Sequence, residues 1–127
     1  MANFCIITNN PLVRAKFPEV CQFAEQDVAG IFTLARDHVH QGARLITHPL
    51  AGSVKPNESP YKSLALSGRG EGLDFGSLEL MENAMAALKK LPVKHCAYGP
   101  EVLADFRVID LDLLDSAISA LPAAYHL

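Results

Sequence analysis

Phe4-Cys5-Ile6-Ile7-Thr8-Asn9-Asn10-Pro11-Leu12-Val13 is the stretch that decides the fold. Residues 4–8 form a nearly unbroken apolar run of strand formers, as expected of a strand covered on both faces. Asn9-Asn10-Pro11 ends that run and starts a helix. An Asn side chain caps free backbone N–H groups, and Pro is tolerated at the first helical position. The chain therefore opens with a buried strand and a short helix over residues 11–17, stopped by Pro18.

Outward from this unit the alternation continues. A second strand is expected over residues 20–24. Val28, Ile31, Phe32, Ala35 and Val39 form the apolar stripe of a helix over 28–41, which Gly42 stops. Leu45-Ile46-Thr47 is predicted as a third strand, parallel to the first, and residues 63–67 as a fourth. Leu78, Met81, Met85 and Leu88 mark one face of a third helix, capped by Asp74 or Ser77. Residues 106–109 read as a last strand and 111–120 as a last helix opened by Asp110. The expectation is one α/β domain over residues 1–127: a layered fold with a mostly parallel sheet flanked by helices, Rossmann-like or flavodoxin-like in outline.

Composition bounds the function classes. Half of the 127 residues are hydrophobic and 20% are charged, a globular balance. A net charge of −3 with scattered Lys and Arg argues against nucleic-acid binding by phosphate neutralisation. No apolar run approaches the roughly 18 residues needed to span a bilayer, and no secretory signal is recognisable, so a cytoplasmic protein without a membrane role is expected. Cys5, Cys21 and Cys96 form no CxxC pair and read as reduced structural thiols.

Chemistry concentrates in residues 47–63, Thr47-His48-Pro49-Leu50-Ala51-Gly52-Ser53-Val54-Lys55-Pro56-Asn57-Glu58-Ser59-Pro60-Tyr61-Lys62-Ser63. Three prolines restrain the backbone, and a connection of this length without periodicity is functional or disordered more often than neutral. Lys55 and Lys62 are suited to hold a phosphate or carboxylate, with Ser53, Asn57 and Tyr61 completing an anion site. His48 is a candidate general acid or base, with Glu58 orienting it or a substrate hydroxyl. Asn9 and Asn10 at the end of the first strand are expected to share a sheet edge with His48 and to join it in ligand binding. The bland alternative is a Pro-rich surface loop, with Asn10 as a plain cap. His38 and His40 lie two apart on a helix and cannot chelate one ion together, so neither a metal nor a cofactor is expected.

The same residues carry a family resemblance. Residues 7–13, Arg36-Asp37 with His40, the whole of residues 47–63 and, more loosely, residues 106–111 resemble the GrdX family. These are small proteins encoded beside the glycine, sarcosine and betaine reductase components of amino-acid-fermenting bacteria. The resemblance implies a cytoplasmic accessory protein of reductive amino-acid metabolism, with a small anionic ligand or a reductase component as its partner. Glycine reductase releases acetyl phosphate, with which an anion site at Lys55 and Lys62 is compatible. The family usually has Ser where this chain has Ala51, and Thr where it has Ser59. The competing function is a small hydrolase or transferase that uses His48 as general acid or base.

Overall fold

A computed structural model describes residues 3–51, 55–68, 70, 72–92 and 97–122. Strand β1 (Phe4–Thr8) is followed by helix α1 (Pro11–Lys16), strand β2 (Cys21–Phe23), helix α2 (Val28–His40), strand β3 (Ser63–Ser67), helix α3 (Phe75–Lys89) and helix α4 (Pro100–Ser119). The strands form one sheet in the order β2-β1-β3. β2 runs parallel to β1, with Ile6 opposite Cys21. β3 runs antiparallel to β1, with Thr8 opposite Ser63 and Phe4 opposite Ser67.

The α/β class is as expected, but the sheet is mixed, not mostly parallel, and it lacks a Rossmann-like or flavodoxin-like succession of parallel strands. The cause lies in residues 45–47. Leu45 makes an isolated antiparallel bridge to Leu66. Beyond it, Ile46 N–H and Thr47 N–H both donate to the one Ala65 carbonyl, at 2.9 and 3.3 Å. The Ala65 N–H is taken by the Thr47 side chain, at 3.1 Å. A regular ladder cannot continue through such an exchange. The segment therefore flanks β3 without becoming a strand, although it runs in the same sense as β1. Residues 55–62 then bring the chain to the carboxyl end of β1, where β3 starts in the opposite direction.

The second correction concerns the C-terminal region. Residues 106–109, predicted as a strand, lie inside the 20-residue helix α4, and Asp110 sits mid-helix where an N-cap was expected. Pro100 takes the first turn of that helix, where its missing N–H costs nothing.

The other caps follow their sequence signals. Asn10 accepts the Leu12 N–H, Asp27 the Gly30 N–H and Asp74 the Ser77 N–H. Gly42 closes α2 at φ +101, where a Cβ would lie 2.5 Å from the Gly70 carbonyl oxygen.

Alternation along the strands builds two cores. Ile7, Leu64 and Leu66 pack with Ile31, Phe32, Ala35 and Val39 of α2 and Met81 and Ala84 of α3. Phe4, Ile6 and Ala65 pack on the other side with Val13 of α1 and with Leu114 and Ile118 of α4. Fully burying a side chain of this size contributes about 1.5–3 kcal/mol. The result is three layers, with α2 and α3 on one face and α1 and α4 on the other. The carboxyl end of β1 is left between α4 and residues 55–62.

Candidate functional site

At that end of β1 a buried chain of hydrogen bonds runs in one direction. The Asn10 backbone N–H donates to Thr8 Oγ1 at 2.9 Å. Ser63 Oγ donates to Asp110 Oδ2 at 2.7 Å, which uses its only proton. The 2.6 Å contact between the two hydroxyls is therefore donated by Thr8. Asp110 also accepts from Ser63 N–H at 3.1 Å and from Asn10 Nδ2 at 3.0 Å. Its carboxylate thus receives three donors. Burial nevertheless pushes its pKa up, opposed by the hydrogen bonds from Asn10 and Ser63 and by the charge of Lys62.

Asn9 and Asn10 have both of their side-chain N–H groups occupied within the protein. Asn9 Nδ2 donates to the Gln26 and Pro60 carbonyls at 2.9 and 2.8 Å, and its Oδ1 accepts the Lys62 N–H at 2.8 Å. Asn10 Nδ2 donates to the Arg107 carbonyl at 2.9 Å as well as to Asp110. The two amides clamp residues 60–62 and helix α4 onto the end of β1. They fix the position of the neighbouring lysine.

Lys62 is partly buried, and burial lowers its pKa, opposed by the charge of Asp110. Together with Lys55, Ser59 and Tyr61 it lines a cavity of about 30 Å³, closed on the α4 side by Phe106, Ile109 and Asp110. That volume admits roughly one water-sized group. Arg107 donates to Tyr61 Oη at 2.8 Å, and its guanidinium lies 5.4 Å from the Tyr61 ring centre. Ser59 Oγ accepts the Tyr61 N–H at 3.1 Å, which shapes the backbone beside the cavity. Among the described residues, Lys55, Lys62 and Arg107 form no ion pair with a carboxylate.

The structure thus brings Lys55, Tyr61 and Lys62 together, with Asn9 and Asn10 behind them. His48 is exposed, and its Nδ1 accepts the Leu50 N–H at 3.0 Å. Glu58 accepts the Lys55 N–H at 3.3 Å. No hydrogen bond joins His48 to Glu58 among the described residues. Ser53 lies outside the described residues. Asn57 does not line the lysine cavity; it is buried at the edge of a second cleft and donates from Nδ2 to the Pro92 carbonyl at 2.7 Å. Cys5 and Cys21 are free thiols whose pKa values are raised by burial.

Sequence reasoning missed Thr8, Ser63 and Asp110 as the buried heart of this region. One signal was available for Asp110. With Leu114 and Ile118 it falls at a spacing of four along one helical face, so the buried stripe of α4 contains an acid. An acid on such a stripe needs partners.

Among the described residues, no helix is long and apolar enough to cross a membrane, and no cluster of His, Cys, Asp or Glu is arranged to hold a metal. A family model described as GrdX-like protein matches residues 5–119. No curated protein and no solved structure matches the chain.

Proposed function

This chain belongs to the GrdX-like family, and on that premise we propose that it is a cytoplasmic accessory protein of glycine, sarcosine or betaine reductase metabolism. It holds a small phosphate- or carboxylate-bearing ligand, free or carried on a reductase component. The observation that supports this reading is the placement of Lys55 and Lys62 on one small cavity, with Arg107 held beside it on Tyr61 Oη; among the described residues none of the three forms a salt bridge. Asp110 lines the same cavity and its charge is felt by Lys62, but the two form no salt bridge, and the Asp110 oxygens accept from Asn10 and Ser63. One oxygen of an anion fits the cavity, and the remainder of the ligand lies at its mouth between residues 55–62 and α4. The Lys62 ammonium, disfavoured by burial, regains a counter-charge when the anion arrives.

Titration with inorganic phosphate tests this. Phosphate is expected to raise the melting temperature of the wild-type protein and to leave that of a Lys55→Met/Lys62→Met variant unmoved, since only a ligand of the native state stabilises it. Equal response of the two proteins, or response of neither, would remove the anion site. Affinity is also expected to weaken as pH rises through the Lys62 pKa. The anion prefers protonated Lys62, and that pKa is lowered, so the loss begins at a lower pH than at an ordinary lysine.

A further inference from the structure

Among the described residues, the large hydrophobic side chains left exposed are Phe75 and, all on α4, Val102, Val108, Ile109 and Leu113. Single exposed hydrophobics are ordinary. Ile109 and Leu113 differ from the others in that both line the lysine cavity, at 41% and 43% exposure. They lie four residues apart and so share one face of α4. Phe106, three residues before Ile109, falls on the same face and lines the same cavity. Its ring stacks on Tyr98, with centres 5.3 Å apart. The cavity therefore has two unlike walls: Lys55 and Lys62 on one side, and an apolar strip of α4 on the other.

The two walls call for different chemistry. A fully hydrated anion such as phosphate meets the lysines and leaves Ile109 and Leu113 in water. An anion with an apolar body covers both, and removing that apolar surface from water is favourable. The charges around the strip limit what the body can carry. Asp110 lies on its inner border, and the exposed Asp105 and Asp112 on its outer one. A second negative charge on the ligand would meet these acids. A second copy of the chain packed α4 against α4 would set the same acids against one another.

We propose that the lysine cavity takes a monoanion with an aliphatic body, of the alkyl carboxylate class, whose carboxylate is held by Lys55 and Lys62 and whose chain lies on Phe106, Ile109 and Leu113. The proposal rests on the anion site described above and adds the body of the ligand to it.

Acetate, hexanoate and hexanedioate separate head from body. Each is titrated by NMR into the full isotopically labelled chain, with inorganic phosphate and 1-hexanol alongside. Hexanoate is expected to bind about tenfold more tightly than acetate, since a fully buried methylene contributes roughly fourfold and an open mouth covers the chain only in part. It should shift the methyl resonances of Ile109 and Leu113. Hexanedioate, which ends the same chain in a second carboxylate, is expected to bind as weakly as acetate. The neutral 1-hexanol is expected to leave the two methyl groups unmoved.

Leu113→Ser changes an exposed side chain and should fold. It is expected to bring the hexanoate-to-acetate ratio to within about threefold, because part of the wall is gone. Taking the ratio within one protein cancels any change in the hold on the carboxylate itself, and the wild-type ratio decides alone if the variant does not fold. Equal affinity for acetate and hexanoate, with phosphate still bound, would overturn the aliphatic body and leave the anion site standing. Binding of 1-hexanol as tight as that of hexanoate would also overturn the proposal, as would an unchanged ratio in folded Leu113→Ser. Methyl shifts that follow protein concentration instead of added carboxylate would assign the strip to a second copy and overturn it too. Response to none of the anions would remove both the anion site and its extension.

Discussion

Asn10 satisfies three partners from different parts of the chain: the Leu12 N–H, the Arg107 carbonyl and the Asp110 carboxylate. Only the first was legible in the sequence, because Asn before Pro is a local capping signal. The bond to Asp110 spans 100 residues, and no local pattern announces it. Asn10→Ala should cost about 2–4 kcal/mol, a lost cap plus a buried carboxylate deprived of a donor, measured by denaturant unfolding. Asp110 gives a second residue-scale prediction. Its folded pKa is raised by burial above the unfolded value of about 3.9. The folded state therefore holds the proton more tightly. The contribution of Asp110 to stability is best below the unfolded value and falls as pH rises through the folded one. Lys62 opposes the rise, so Lys62→Met should push the Asp110 midpoint higher still. Carboxyl-carbon NMR titration checks this, and an unmoved midpoint would separate the two charges.

At the scale of elements, several local signals were read correctly, although the Gly99-Pro100 start of α4 was missed. The strand over 4–8, the stripe of α2 and the Asp74 cap of α3 each carry their own periodicity or capping chemistry. Two elements were lost to non-local effects. Residues 106–109 pair aromatic and β-branched side chains, which suit a short strand or a helix equally, and tertiary packing of Leu114 and Ile118 decided for helix. Residues 45–47 have strand composition, but the Thr47 hydroxyl captures the Ala65 N–H that a ladder needs. The site suffered in the same way: Lys62 and Tyr61 stood out in their segment, whereas Arg107 and Asp110 meet them only because α4 crosses the end of β1. Helix α4 also offers an element-scale test. Its N-cap Gly99 makes no side-chain cap, and a Cβ there meets nothing within 4 Å. Gly99→Asp should stabilise the protein by about 0.3–1 kcal/mol through capping and the helix dipole, read as a rise in denaturation midpoint. A loss of stability would mean that the backbone at 99 is not free to carry a side chain.

For the whole molecule, the decisive feature is a sheet of three strands that serves two cores. β1 lies between β2 and β3, and its alternate residues Ile6 and Ile7 point to opposite layers. Neither layer can form alone, because each needs one face of the same strands. The two packings are nevertheless chemically distinct. Ile31 of α2 touches the first core and Ile118 of α4 the second, and the two share no cluster neighbour. Two expectations follow that pull in different directions. Unfolding should be one transition, since loss of the sheet removes both cores, whereas small truncations on the two faces should add independently. Ile31→Val and Ile118→Val should each cost about 0.5–1.5 kcal/mol. The double variant should lose their sum to within about 0.5 kcal/mol, because residues without shared partners rarely couple. Denaturant unfolding followed by helix circular dichroism and by tyrosine fluorescence checks both points at once. Coupling well beyond that limit would mean that strain passes through the thin sheet from one face to the other.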